Sequence, residues 1–221
     1  MRTRWSRIEA LMGDEQPTNG RTRDFAAEQV IVSQGAPSEE VLLIVQGRVK
    51  LWRTSEGGAA VSLLVLGAGE VIGALAVAQG SAHPVAATAL TATTVHPFPA
   101  QAFRDLLLRD PELACQFIEI IAHRAHQLLD RLDDSASASV QVRLARLLIR
   151  LAGGIGRHLP DLTTILDIRR SDLAEMAFTT VPTVSRIMSE WERRGLVKGA
   201  RGRTTILELG SLAAIGELPV D

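Results

Sequence analysis

Short apolar runs alternate with glycine-rich turns between residues 25 and 100. Apolar and polar positions alternate within runs such as Val61–Val65, and turn residues recur about every eight to twelve positions. Many short strands separated in this way are typical of a β-sandwich or a β-barrel. We therefore predict a β domain within residues 1–109, and a short helix at Trp5–Leu11 could precede its strands.

Two apolar stripes follow in residues 110–137. The segment Asp110-Pro111-Glu112 favours a helix start, because Asp can cap the helix, Pro fits its first turn and Glu complements its dipole. One stripe, which contains Leu113, Phe117 and Ile120, could pack on the β domain. The other stripe has the three-four spacing of a coiled-coil seam, and one wide buried face in a monomer is the alternative. The predicted dimer interface consists of Ala114, Ile118, Ile121, Ala125, Leu128 and Leu132.

A C-terminal domain is predicted in residues 138–221. The small and polar residues Asp133–Ser137 indicate a hinge before it, and its first helix is predicted to stop at Gly153-Gly154. A short helix, a tight turn near Phe178-Thr179 and a second helix from about Thr180 to Gly195 follow. This order predicts a helix-turn-helix.

The second helix of this motif has the pattern of a DNA recognition helix, with an apolar inner face and a polar, cationic outer stripe. An Arg near the start of such a helix can donate two hydrogen bonds to guanine, and hydroxyl groups suit bases or phosphates. The basic turn between Lys198 and Arg203 predicts a wing whose cations contact phosphates. The predicted DNA-binding residues are Arg170, Thr180, Val181, Thr183, Ser185, Arg186, Ser189, Lys198, Arg201 and Arg203.

The distribution of charge supports this interpretation. Residues 1–140 hold 12 Lys and Arg against 16 Asp and Glu, whereas residues 141–221 hold 12 against 9. A basic C-terminal part favours nucleic acid as a partner. Because we find no membrane-spanning apolar run and no signal-peptide core, we expect a cytoplasmic protein without a membrane partner. The single cysteine, Cys115, excludes an internal disulfide and any cysteine-only metal or iron–sulfur site.

Several segments together resemble the CRP/FNR superfamily of transcription regulators. They are VLLIVQGRVKLWR, LGAGEVIGAL, the DPELA helix start, RLARLLIRLA and TVSRIMSEWERRGLV, and the resemblance extends from about Phe25 to Leu212. It implies an α+β fold with a cyclic-nucleotide-binding-like β-roll (a double-stranded β-helix), a long dimerisation helix and a winged helix-turn-helix. It also implies a homodimer on palindromic double-stranded DNA, RNA polymerase as a further partner and no enzymatic activity.

The chain departs from the family pattern where an effector would bind. In cyclic-AMP-responsive members a Glu holds the ribose and an Arg-Ser pair holds the phosphate, but here Ala74 and His83-Pro84 stand at those positions. Leu128-Leu129 replace the Thr-Ser pair that contacts the adenine. Because a buried phosphate without a cation is costly, we predict that cyclic AMP is not bound in the family manner. An unfamiliar ligand near these residues and a vestigial pocket are equally open, as is activation versus repression.

The DNA-binding motif departs from the family pattern as well. Val181-Pro182 stand where many members have Arg-Glu, and Phe178 replaces the usual glycine of the turn. The resemblance keeps Ser185 and Arg186 as anchors. We therefore predict a half-site that differs from those of the best-known members.

Alternative functions rest mainly on histidines. Glu119, His123, His126 and Asp130 share one helical face that could ligate a metal, and some family members bind haem, but we predict no metal and no cofactor. A cupin-type enzyme would need a close H-x-H pair, which this sequence lacks. A protein-interaction module without specific DNA binding is the remaining alternative. Loss of specific DNA binding on Arg186→Ala would exclude it.

Overall fold

The computed structural model describes residues 22–58, 60–160 and 163–218, so the helix predicted at Trp5–Leu11 lies outside the described residues. The chain divides into two compact units between Leu128 and Leu129. No helix within the described ranges is long and apolar enough to cross a membrane.

The N-terminal unit contains two antiparallel four-stranded sheets. The strands of the first sheet, in spatial order, are β1 (Arg23–Phe25), β8 (Thr93–Pro99), β3 (Glu40–Gln46) and β6 (Val71–Ile72). The strands of the second sheet are β2 (Val30–Val32), β7 (Ala86–Ala89), β4 (Val49–Thr54) and β5 (Ala60–Leu66). The β domain predicted from the alternation of apolar runs and turns is therefore confirmed.

Strand β3 is buried on both faces, which explains its uninterrupted apolar run. Leu42 and Ile44 join the cluster between the two sheets, where they meet residues such as Val49 of β4. The alternate side chains, Val41 and Leu43, point to the opposite face of the strand and join a second cluster that is covered by helices. Because side chains of a strand alternate between faces, a strand with a core on each side needs apolar residues at every position.

Three helices complete this unit: α1 (Ala74–Gln79), α2 (Ala100–Arg109) and the first part of α3 (Pro111–Ser137). Asp110 caps α3, since its carboxylate accepts the backbone N–H of Leu113 at 3.0 Å. The stripe of Leu113, Phe117 and Ile120 is buried in the helix-covered cluster, as predicted. Phe117 packs edge-to-face on Phe103 of α2, with ring centroids 5.8 Å apart.

The C-terminal unit combines helices with a small antiparallel sheet. Its elements after α3, in chain order, are α4 (Val140–Ile155), β9 (Arg157–His158), β10 (Thr164–Leu166), α5 (Arg170–Met176), α6 (Val181–Arg193), β11 (Val197–Ala200), β12 (Arg203–Ile206) and α7 (Leu209–Ile215). The strand order in the sheet is β11-β12-β10-β9. Leu144, Leu173 and Trp191 are fully buried in its core. The predicted helix-turn-helix and wing are confirmed as α5, α6 and the β11–β12 hairpin.

The hinge prediction at Asp133–Ser137 is wrong, because α3 continues to Ser137. Asp134 is only 5% exposed, and each of its carboxylate oxygens accepts a hydrogen bond from a different guanidinium of α4. These contacts, with Arg146 at 2.6 Å and Arg150 at 3.0 Å, join the last turns of α3 to α4 within the C-terminal unit. The chain breaks only before α4, whose first turn is capped by the Ser139 hydroxyl.

The stop predicted at Gly153-Gly154 is also wrong, since α4 runs through both glycines to Ile155. Each glycine in a helix costs about 1 kcal/mol relative to alanine. Burial of Leu151, Ala152 and Ile155 on the inner face of the same turns offsets this cost.

Candidate nucleic-acid interface

Helix α6 has one buried face and one open face. Val184, Ile187, Met188 and Trp191 are all at most 3% exposed and fix the helix to the core. Thr180 caps its start by accepting the backbone N–H of Thr183 at 3.4 Å, and Pro182 occupies the first turn, where an N–H is not needed. The helix therefore begins and ends close to the predicted bounds.

The open face carries the residues predicted for DNA recognition. Side chains of Pro182, Arg186, Ser189 and Arg193 are exposed and follow one another at helical spacing, with exposed Val181 beside them. Thr183 and Ser185 are partly buried at the edges of this stripe. Arg186 is thus the exposed cation of the first two turns, where an arginine can reach base edges in a major groove.

The turn between α5 and α6 contains an unusual backbone. Phe178 has a φ of 50°, in the left-handed region that is costly for a residue with a side chain. Its ring is 44% exposed and lies under the guanidinium of Arg131, with 5.2 Å between Cζ and the ring centroid. A cation over an aromatic face is a favourable contact that offsets part of the backbone cost.

Two arginines bind the carbonyl groups of this turn. The Arg131 guanidinium donates to the carbonyl oxygen of Met176 at 2.9 Å. Arg143 of α4 donates from Nε to the carbonyl oxygen of Ala177 at 3.1 Å and from Nη2 to that of Phe178 at 3.3 Å. The last carbonyls of a helix have no partner within it, so these guanidinium groups act as its C-terminal caps. We call Arg131, Arg143 and Phe178 the turn clamp.

Burial of Arg131 in the clamp imposes a desolvation penalty on its charge. Its side chain comes from the last turns of α3 and the residue is only 6% exposed. Desolvation lowers the pKa of its guanidinium to about 10, and repulsion from Arg150 acts in the same direction, while Asp134 opposes both. The group is still charged at neutral pH. The sequence carries one signal for the clamp, which is Phe178 at a position that favours glycine.

The wing is the hairpin of β11 and β12, which turns at Arg201-Gly202. Lys198, Arg201 and Arg203 are all exposed, so the three predicted wing cations can reach a phosphate backbone. Arg203 also pairs with Asp167, with 2.8 Å between Nε and Oδ1. Its positive charge is therefore partly offset within the protein.

Arg170, the remaining predicted phosphate contact, is held between two elements of the motif. Its guanidinium lies 3.4 Å from Glu192 Oε1, and the same oxygen accepts the backbone N–H of Gly199 at 2.8 Å. Glu192 therefore joins α5, α6 and the wing. A Cβ atom at position 199 would collide with this carboxylate, so a larger residue there would displace the Glu192 side chain from its contacts.

Family models match segments of both units of the chain. Residues 22–110 match the cyclic nucleotide-binding domain, and residues 142–215 match the Crp-like helix-turn-helix domain. The chain belongs to the CRP/FNR family of transcription regulators. Its helix-turn-helix is a DNA-binding domain of this family.

Relatives cover most of the chain. A CRP-like cAMP-activated global transcriptional regulator of Mycobacterium tuberculosis is 23% identical over 194 residues, which are 87% of this chain and 84% of that protein. The global nitrogen regulator of Synechococcus elongatus is 28% identical over 185 residues, 82% of this chain and 83% of the relative. The solved structure of FixK2 from Bradyrhizobium japonicum shares the fold, with a TM-score of 0.77, 20% identity and coverage of 91% of this chain and 98% of that one.

The seam predicted for a dimer lies on α3, and its residues are divided between exposed and partly buried positions. Ile118 is 64% exposed and Leu132 is 61% exposed, and Ala125 is exposed between them. By contrast, Ala114, Ile121 and Leu128 are only partly exposed, and Ile121 packs against the helix-covered cluster of the β domain.

The predicted effector residues occupy different environments. Ala74 is 3% exposed and belongs to the helix-covered cluster, whereas Pro84 is exposed. His83 is 7% exposed, and a Cβ atom on Gly73 would lie 2.8 Å from its Cε1, so the imidazole lies directly against the backbone before α1. Burial lowers the pKa of His83, against the opposing charge of Glu40. On α3, Leu128 is partly buried and Leu129 is 56% exposed.

The histidine face of α3 does not form a metal site in the part of the chain that the structure describes. No three His, Cys, Asp or Glu side chains converge there as metal ligands. His123 instead interacts with Gln127 one turn later, at 3.0 Å between their side-chain nitrogens.

Proposed function

We propose that this CRP/FNR-family regulator binds palindromic DNA as a homodimer and does so without cyclic AMP. The observation that carries the proposal is the exposed stripe around Arg186 on a helix whose opposite face is completely buried. Such a helix is rigidly held, so its outer side chains can enter a major groove with little loss of conformational entropy.

Each residue of the interface has a role that fits its position. Arg186 reads a base, and Thr183, Ser185 and Ser189 supply hydroxyl contacts to bases or phosphates. The wing cations Lys198 and Arg201 bind phosphates. Arg170 and Arg203 also bind phosphates, but more weakly, because each is paired with a carboxylate of the protein. Thr180 and Val181 complete the surface at the helix start.

The homodimer is proposed to form along the exposed stripe of α3. Side chains on this stripe recur at alternating spacings of three and four, as in a coiled-coil seam. They are Cys115, Ile118, Ala122, Ala125, Leu129 and Leu132, each of them exposed. Ile118, Ala125 and Leu132 belong both to this stripe and to the interface predicted from the sequence. The other three predicted residues, Ala114, Ile121 and Leu128, are partly buried and lie at the edge of the stripe or behind it.

The single cysteine provides a direct test of this seam. Because the chain has only Cys115, an oxidised disulfide dimer must join Cys115 of two chains. We expect mild oxidation of the dilute protein to produce a covalent dimer that Cys115→Ser abolishes and that reducing agent reverses. A dimer by sedimentation that resists cross-linking would contradict this register, and a monomer would contradict the homodimer.

The chemistry at the β domain supports the proposed independence from cyclic AMP. A lowered pKa leaves His83 neutral at physiological pH, so it supplies no cation for a cyclic phosphate. The buried methyl group of Ala74 supplies no carboxylate for a ribose. We expect calorimetric titration with cyclic AMP to give no saturable heat and DNA affinity to stay the same with the nucleotide present.

Selection of DNA sites from a random pool by the purified protein, without effector, tests the proposal as a whole. We expect a palindrome whose half-sites are about one helical turn apart. A folded dimer that selects no sequence would contradict effector-independent binding, and addition of cyclic AMP would then show whether the nucleotide restores selection.

A further inference from the structure

The first turn of the recognition helix presents apolar side chains where polar ones would be expected. Val181 is the first residue of α6 and is 44% exposed, and exposed Pro182 follows it. The half-exposed ring of Phe178 lies three residues before Val181. The other valine of the helix-turn-helix, Val184, is fully buried.

The hydroxyl groups of this turn are already engaged with one another. Thr180 Oγ1 and Thr183 Oγ1 are 2.9 Å apart, and Thr180 Oγ1 also accepts the N–H of Thr183. Pro182 has neither a polar side chain nor an N–H. Beside these two hydroxyls, Val181 and Pro182 offer a base edge an apolar surface, whereas one turn later Ser185 and Arg186 offer hydrogen bonds.

The major groove presents one apolar group that such a surface can recognise. Adenine, guanine and cytosine display hydrogen-bonding atoms, while thymine adds its C5 methyl group to an acceptor oxygen. A branched aliphatic side chain beside this methyl group would remove apolar surface of both from water.

We propose that Val181 contacts a thymine methyl group and thereby selects thymine at one position of each half-site. The inference rests on the proposed function, since it assumes that α6 enters the major groove. If Val181 makes this contact, recognition of the base pair nearest the start of α6 depends on a thymine methyl group. Arg186 reads its base by hydrogen bonds and is independent of that group.

Replacing thymine with deoxyuridine removes the methyl group and leaves base pairing intact, so it tests the contact directly. Each thymine of the selected site is replaced in turn, and the dissociation constant of the full-length protein is measured for each duplex. One position per half-site should weaken binding about fourfold for each methyl group removed. Val181→Ala should reduce that ratio to about one at this position.

Two further variants keep the test decisive. Val30→Ala removes the same atoms from a similarly exposed valine of the N-terminal unit and should retain the full sensitivity to deoxyuridine. Val181→Ser also removes both γ-methyl groups and should lose the sensitivity as well, so that two different side chains must give the same result.

The outcomes separate the inference from the proposed function. Specific DNA binding with a methyl-sensitive position that depends on Val181 supports both. Specific binding that is insensitive to deoxyuridine, or whose sensitivity persists in both Val181 variants, overturns the inference and leaves the proposed function intact. If no sequence is selected with or without cyclic AMP, the proposed function fails and the inference fails with it.

Discussion

Phe178 offers a sharp test of the turn clamp, because its side chain and its backbone have opposite effects on stability. The contact between its ring and the Arg131 guanidinium contributes about 1 kcal/mol at a partly exposed site, and half-burial of the ring adds about 1 kcal/mol. We therefore expect Phe178→Ala to lower the free energy of unfolding by about 2 kcal/mol. Phe178→Gly should be about 1 kcal/mol more stable than Phe178→Ala, because a φ of 50° strains a residue with a Cβ atom.

Urea unfolding followed by circular dichroism measures these differences. All variants are compared at one protein concentration, since dissociation of a dimer makes apparent stability concentration-dependent. A double-mutant cycle with Arg131→Met should give a coupling energy of about 1 kcal/mol with Phe178→Ala. Equal losses for Phe178→Ala in both backgrounds would refute the cation–ring contact. Lower stability of Gly than of Ala at position 178 would refute the left-handed turn.

Three further predictions concern burial and charge. Asp134→Asn should lower the free energy of unfolding by about 3 kcal/mol, because it weakens two buried ion pairs, whereas exposed Asp130→Asn should change it little in the same urea assay. Burial lowers the pKa of His83 in the folded protein, so on acidification the unfolded state binds a proton at a higher pH, near 6.5, than the folded state does. Stability should therefore fall on acidification through that range, and a pH series in which the fall is as steep after His83→Gln would contradict this cause. Asp167→Ala should release Arg203 and steepen the salt dependence of DNA binding, and a slope unchanged in filter-binding titrations would count against a phosphate contact by that arginine.

Features that depend on local sequence could be predicted well. Thr180 and Pro182 mark the start of the recognition helix by capping and by ring geometry, which act within one turn. The spacing of Val184, Ile187 and Trp191 determines which face of the helix is buried. For the same reason, the exposed stripe around Arg186 could be predicted from the sequence alone.

Features that depend on distant residues could not be predicted. The sequence around Asp134 predicts a polar hinge, because nothing nearby indicates its partners. These are Arg146 and Arg150, which lie 12 and 16 residues later on another helix. Arg131 contacts Met176 across 45 residues, so its role in the turn clamp leaves no periodic signal. Apolar periodicity predicts that α3 has seams, but only packing against the β domain decides which residues remain open to a partner.

The most direct test of the central claim compares Arg186→Ala with Arg53→Ala, which removes the same charge from an exposed position in the N-terminal unit. Dissociation constants are measured for the selected palindrome and for a scrambled duplex at several salt concentrations. We expect Arg186→Ala to weaken binding to the palindrome by about 1–3 kcal/mol per half-site and much less to the scrambled duplex, while Arg53→Ala changes neither. An unchanged preference for the palindrome in Arg186→Ala would contradict the assignment of α6 as the recognition helix.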